Sequence, residues 1–216
     1  MRRLGRFDVV VYDRRGYQGS RALAPVSLAA HVADLAALVD REAPRGPVIL
    51  FGHSYGGLVT LATALAFPER INLVVDYESP LPWVLHRQRV YALTNEDPAK
   101  EAESFFRHIM GDRAWERLSD EQRSSRRRDG DALLNDLVTV RLPEAPFDLR
   151  DLRVPFTYIY GDQSDYYTAL AAKLPGVSPL IVTRELDHAG HAAHLKNADQ
   201  LAAVIEERWT AACASV

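Results

Sequence analysis

The stretch Val48-Ile49-Leu50-Phe51-Gly52-His53-Ser54-Tyr55-Gly56-Gly57-Leu58 decides how this chain is read. Val48 to Phe51 has the length and composition of a buried strand. It runs without a linker into Gly52-His53-Ser54-Tyr55-Gly56, after which Leu58, Leu61, Ala62 and Leu65 keep helical spacing until Pro68 stops the helix. A strand that ends where a helix begins puts Ser54 on a sharp, strained turn and lifts its hydroxyl clear of the sheet. Small residues two before and two after it, Gly52 and Gly56, are expected because neighbouring backbone passes too close for a side chain. The pentapeptide alone reads equally as a glycine-rich turn; the strand before it and the helix after it make the pattern specific.

Working outward, short apolar runs alternate with longer amphipathic ones. Phe7 to Tyr12 reads as a buried strand closed by the turn Asp13-Arg14-Arg15-Gly16. A helix follows, with Ser27 as N-cap and Leu28, Val32, Leu35 and Val39 on one face, and Pro44-Arg45-Gly46-Pro47 breaks it. Further strands are expected at Ile71–Tyr77, Val154–Tyr160 and Leu180–Thr183. A closing helix from near Asn197 is expected to bury Leu201, Val204, Ile205 and Trp209. This alternation predicts an α/β fold, a mostly parallel sheet flanked by helices.

Residues 80–150 change character: strand-like runs vanish and charge density rises. Asp97-Pro98 places an N-cap before a proline, Ser119 with Gln122 fits a capping box, and Leu133, Leu134, Leu137 and Val138 mark a further helix. Phe105, Phe106, Ile109 and Met110 form the expected apolar face of the first of these helices. Arg126-Arg127-Arg128, flanked by Asp129 and Asp131, reads as a solvated helix face. The division is therefore a core of 1–79 and 151–216 with a helical insertion at 80–150.

Composition narrows the function classes. At 216 residues, 47% apolar and 25% charged, the chain is sized for one soluble domain that needs no disulfide or metal for stability. A formal charge of −3 gives no electrostatic footprint for nucleic acid. The single cysteine, Cys213, excludes an internal disulfide framework and any cysteine-based metal site. The longest apolar run, Leu58 to Phe67, falls short of a membrane span, and Met1-Arg2-Arg3 leads into no secretory pattern, so a cytoplasmic location is expected.

A serine hydroxyl becomes a useful nucleophile only when a base takes its proton, and the base must be oriented by a carboxylate. His188, His191 and His194 lie after the final expected strand, where such a base belongs in a Ser–acid–His chain order. Their spacing by threes also raises a metal site, which the lack of cysteines and of a carboxylate ligand set argues against.

On these motifs the chain resembles the α/β-hydrolase superfamily: Asp13-Arg14-Arg15-Gly16-Tyr17, Gly52-His53-Ser54-Tyr55-Gly56-Gly57, the acid loop Gly161–Asp165, and Gly190-His191-Ala192-Ala193-His194-Leu195. The resemblance covers nearly the whole chain and singles out His191 as the base. It implies that 80–150 caps the active site and that the Tyr55 N–H contributes to an oxyanion hole. For the acid it favours Asp165, four residues after Gly161. Asp162 and Glu78 stay open: Asp162 reads as a turn former, and Glu78 ends the strand where some members carry the acid.

Two departures stand out. Gln18 occupies a position that is usually glycine, with Gly19 one residue late. The family's earlier strands and His-Gly loop, which donates the second oxyanion N–H, are not seen before Phe7. A family strand between those equivalent to Phe7–Tyr12 and Val48–Phe51 goes with them, leaving either a gap in the sheet or a direct pairing. One lost oxyanion donor typically costs about 3–4 kcal/mol, so the pattern points to a fragment with an upstream start or to a shortened relative of altered activity.

The resulting expectation is a serine hydrolase acting on a small ester, thioester or amide-like substrate through an acyl-enzyme. Ser54 attacks, His191 shuttles the proton, and Asp165 orients it; no organic cofactor or metal is implied. The alternative is a degenerate, non-catalytic relative that binds a small ligand beneath the cap. A third reading, an interfacial lipase, would need Leu81, Trp83, Val84 and Leu85 on an apolar cap surface, though core packing accounts for them. Substrate identity and oligomeric state are not legible.

Overall fold

The structure is a computed structural model and describes residues 4–24, 26–86 and 91–213; the basic Met1-Arg2-Arg3 lies outside the described residues. Its centre is a four-stranded parallel sheet, β1 (Ile49–His53), β2 (Leu73–Tyr77), β3 (Phe156–Gly161) and β4 (Ile181–Leu186), in the order β1-β2-β3-β4. Each strand is β-branched or aromatic-rich, and β2, Leu73-Val74-Val75-Asp76-Tyr77, is buried along its whole length, as a central parallel strand must be. Alternate residues serve two cores. Val74, Phe156 and Tyr158 pack with Leu58, Leu61 and Leu170 on one face, whereas Leu73, Val75, Tyr77 and Ile159 pack with Leu201 and Ile205 on the other.

The register places the chemistry. His53 pairs with Tyr77, Tyr77 with Ile159, and Gly161 with Leu186. The residues that follow each strand, Ser54, Glu78, Asp162 and the loop after Leu186, therefore emerge at one edge of the sheet, the carboxyl ends of its strands. That is where open α/β sheets hold their ligands.

Helix α1 (Leu28–Glu42) starts where Ser27 Oγ accepts the Ala30 N–H at 3.2 Å, and it buries His31, Leu35 and Val39. The fully buried residue in its first turns is thus His31 rather than the expected Val32. Helix α2 (Tyr55–Ala66) follows β1 directly. Between β2 and β3 come α3 (Pro98–Met110), α4 (Asp112–Glu116), α5 (Asp120–Arg128) and α6 (Gly130–Thr139). The expected caps are present: Asp97 Oδ1 accepts from the Ala99 and Lys100 N–H groups, and Ser119 with Gln122 closes a reciprocal box. Helix α3 packs through Ala102 and Phe105 against Leu133 and Leu137, and Ile109, expected on that apolar face, is exposed. Helix α7 (Asp165–Lys173) links β3 to β4, and α8 (Ala193–Lys196) and α9 (Ala198–Cys213) close the chain.

One expected strand is not a strand. Phe7–Tyr12 forms no ladder, and Val9, Val10 and Val11 are 39%, 50% and 69% exposed. Among the described residues strand β1 pairs with β2 alone, and its Phe51 is left 41% exposed. Of the two outcomes foreseen for this edge, direct pairing of Phe7–Tyr12 with β1 is the one that does not form, so the backbone groups of that segment stay outside any ladder. The Gln18 departure also has a structural counterpart, because Gln18 takes φ +41°, the left-handed region that glycine occupies at least cost.

Helix α6 and the residue before it, Asp129, are held by side chains from the segments before α1 and at the start of α2. Arg14 donates to both Asp136 oxygens, at 3.2 and 2.5 Å, and Tyr17 O–H donates to the same carboxylate at 2.5 Å. Its guanidinium lies over the rings of Tyr17 and Tyr55. Arg21 pairs with Asp129, and Tyr55 O–H reaches Thr139 Oγ1 at 3.3 Å. Among the described residues no helix is long and apolar enough to cross a membrane.

Candidate active site

Ser54 sits between β1 and α2 with φ +53° and ψ −128°, a conformation a non-glycine residue holds only when its surroundings impose it. Those surroundings are tight. The Ser54 N–H donates to the Tyr77 carbonyl at 3.0 Å, and the Gly57 N–H donates to the Ser54 carbonyl at 2.9 Å. A Cβ on Gly52 would stand 2.5 Å from Gly57 Cα, and one on Gly57 would stand 1.5 Å from Ser79 Oγ. The glycine that the packing requires after the serine is therefore Gly57. Gly56, expected to be crowded, faces open space, since nothing lies within 4 Å of its would-be Cβ. Tyr55 occupies the first helical position, where a backbone N–H has no acceptor within its own helix and a partial positive charge accumulates.

His191 lies in the loop between β4 and α8. Its Nδ1 is 2.7 Å from Glu78 Oε2. Glu78 is completely buried, follows β2 directly and has φ +48°. Its other oxygen, Oε1, accepts the Gly161 N–H at 3.0 Å, so both ends of the carboxylate are directed. A carboxylate that accepts from Nδ1 fixes the imidazole tautomer that leaves Nε2 free to take a proton. The His191 ring is also stacked on Tyr167, with planes 4° apart and centroids 5.5 Å apart.

The other expected carboxylates sit elsewhere. Asp165 is exposed in the first turn of α7, where the helix end favours an acid, and the carboxylate paired with His191 Nδ1 is that of Glu78. Asp162 accepts the N–H groups of His188 and Ala189 at 2.9 and 3.0 Å, which holds its carboxyl below the usual range. It thereby pins the loop that carries His191. His188 is exposed, and the histidine ring beside His191 is that of His53, with centroids 4.6 Å apart; His53 in turn meets His194 at 4.5 Å. Among the described residues no group of three His, Cys, Asp or Glu side chains is arranged to hold a metal ion.

Sequence reasoning gave no role to His53, Tyr77 or Tyr167. Their signal was weak, since His53 is the variable position of the motif and the two tyrosines read as ordinary strand and helix residues. Glu78 had been one of three candidate acids; its strained backbone, which aims the carboxylate, leaves no mark in the sequence.

The model of the alpha/beta hydrolase family matches residues 1–204. The chain belongs to the alpha/beta hydrolase family. Among curated proteins, lipase LipV of Mycobacterium tuberculosis is 36% identical over 72 residues, a match spanning 33% of this chain and 27% of that protein. Among solved structures, NosK from Streptomyces actuosus has a TM-score of 0.68 at 20% identity, covering 96% of this chain and 87% of the other. MenH from S. aureus has a TM-score of 0.67 at 18% identity, covering 93% and 82%. At these identities the two structures speak for the shared alpha/beta hydrolase fold.

Proposed function

We propose that this alpha/beta hydrolase cleaves a small ester, thioester or amide-like substrate through an acyl-enzyme on Ser54. The observation that carries the reading is the 2.7 Å contact between His191 and Glu78 at the same sheet edge that presents the Ser54 turn. His191 takes the Ser54 proton as the hydroxyl attacks the carbonyl carbon. It then returns that proton to the leaving alcohol, thiol or amine; a water molecule, deprotonated by the same imidazole, releases the acid. Glu78 orients the ring and stabilises the imidazolium formed in each half-reaction, a role we assign to it rather than to Asp165 or Asp162. The Tyr55 N–H supplies one donor to the oxyanion.

Helices α3–α6 form the cap in this reading, held over the core by Arg14–Asp136 and Arg21–Asp129. The lipase among the relatives favours an ester as the first substrate class to try, and the reading keeps the cytoplasmic location expected from the sequence. The test is intact mass after exposure to a fluorophosphonate. A single adduct on the wild-type chain, absent from Ser54→Ala, is the expected result. No adduct on folded protein would overturn the assignment and leave a ligand-binding relative.

A further inference from the structure

We propose that His53 is a positioning residue: its ring N–H holds the backbone carbonyl of His191 and so ties the loop that carries the base to the turn that carries the nucleophile. His53 directly precedes Ser54, and its Nε2 lies 2.8 Å from the His191 carbonyl oxygen. A carbonyl only accepts, so Nε2 carries the proton. Nothing else in the described structure joins a side chain adjoining Ser54 to the backbone of His191 itself.

The other holds on this loop show what His53 completes. Asp162 accepts from the His188 and Ala189 N–H groups, and the Ala189 carbonyl accepts from the Gln163 N–H at 3.2 Å. Tyr77 O–H donates to the Gly190 carbonyl at 2.7 Å. Each of these fixes the loop before His191 to β2 or to the loop after β3. The His53 bond alone reaches the base-bearing residue from the nucleophile's own turn. It thus sets the distance on which proton transfer depends, where errors near 1 Å cost about 100-fold.

The ring is built to remain a neutral donor. It stacks on Tyr77, with centroids 5.8 Å apart, and faces His191 and His194. Burial first, then the neighbouring His191 and His194, push its pKa down to about 3. A neutral His53 keeps its hydrogen bond without placing a second positive charge against the imidazolium that forms at His191.

The inference rests on the reading of His191 as the base, and the experiment separates the two. His53→Phe keeps the ring and removes the donor; His53→Gln restores an N–H near the place of Nε2. With p-nitrophenyl acetate, His53→Phe is expected to lower kcat about 30–100-fold with KM within about twofold, and His53→Gln to recover most of it. The second readout needs no turnover. Glu78 holds the Nδ1 proton of His191 with or without His53, so a displaced loop is read as a weaker bond: in protein with 15N-labelled histidine, the downfield Nδ1–H resonance of His191 moves upfield in His53→Phe and returns in His53→Gln. Should His53→Phe fail to fold, His53→Asn, polar but too short for the carbonyl, takes its place. Variants without the bond that keep wild-type kcat, or that leave the Nδ1–H resonance in place, would overturn the proposal. A wild-type chain inert to ester and fluorophosphonate would sink the hydrolase reading while the Nδ1–H resonance still decides His53.

Discussion

Glu78 Oε2 and His191 Nδ1 lie 2.7 Å apart although 113 residues separate them in the chain, and helices α3–α6 fall between. Two features of the sheet create that meeting. Strand β2 ends one residue before Glu78, level with Ile159 of β3, and the Gly161 N–H then donates to the second carboxylate oxygen. The positive φ of Glu78 turns its side chain toward the loop after β4 instead of onward along the strand. A strained φ of this kind costs of order 1–3 kcal/mol, and Ser54 carries the same burden at the neighbouring strand end.

Beside Gly52 and Gly57 of the Ser54 turn, Asp76 is wholly buried, and burial pushes its carboxyl well above the usual range. Thr60 Oγ1 lies 2.7 Å from Asp76 Oδ1 and 2.9 Å from the Gly57 carbonyl. One hydroxyl proton serves one acceptor, and a protonated Asp76 supplies the other. The folded pKa is raised, so the stability this group contributes is full below the unfolded value of about 3.9. It is lost as pH rises toward the folded value, at about 1.4 kcal/mol per unit. Asp76→Asn removes that loss. Its stability relative to wild type is expected to climb with pH from about 4 upward in denaturant titrations; a difference independent of pH contradicts a neutral Asp76.

Cutting the charged tie between Arg14 and Asp136 of α6 is expected to destabilise the fold. Burial opposes the charge of Arg14, and Asp136 more than offsets it, holding the guanidinium above its ordinary pKa. Arg14 and Asp136 side chains are 19% and 5% exposed, so truncating the acid strands a nearly buried cation. Asp136→Ala is expected to cost about 3 kcal/mol, read by chemical denaturation. Asp148→Ala, which removes an exposed partner of Arg150, is expected to change stability by less than about 1 kcal/mol.

Gln18 is a misplaced side chain in a glycine conformation. Its backbone N–H reaches Asp129 Oδ1 at 3.4 Å, a contact that glycine retains. Relief of the left-handed strain, less the extra freedom of an unfolded glycine, predicts that Gln18→Gly raises stability by about 0.5–1 kcal/mol. A lower melting temperature in the variant would count against it.

Much of the fold was legible because local signals agreed with it. The Val48–Leu58 strand–turn–helix, the Asp97 and Ser119 caps and the four strands of the sheet all fall close to where periodicity put them. Phe7–Tyr12 failed because a strand needs a hydrogen-bonding neighbour, and pairing is a property of the sheet rather than of six residues. Asp165 has the expected offset from Gly161, and the structure puts it in the first turn of α7. Glu78 was legible only as a strand end; the turn of its backbone, and the reach of His53 to His191, are tertiary facts with no local signature.

The most direct test of the account is the rate of fluorophosphonate labelling at Ser54 in two variants that differ only in which carboxylate is neutralised. If Glu78 orients His191, Glu78→Gln slows labelling by about 10³–10⁴, and Asp165→Asn, exposed on its helix, labels within about threefold of wild type. The reverse pattern, with Asp165→Asn crippled and Glu78→Gln near wild type, would contradict the pairing of Ser54, His191 and Glu78.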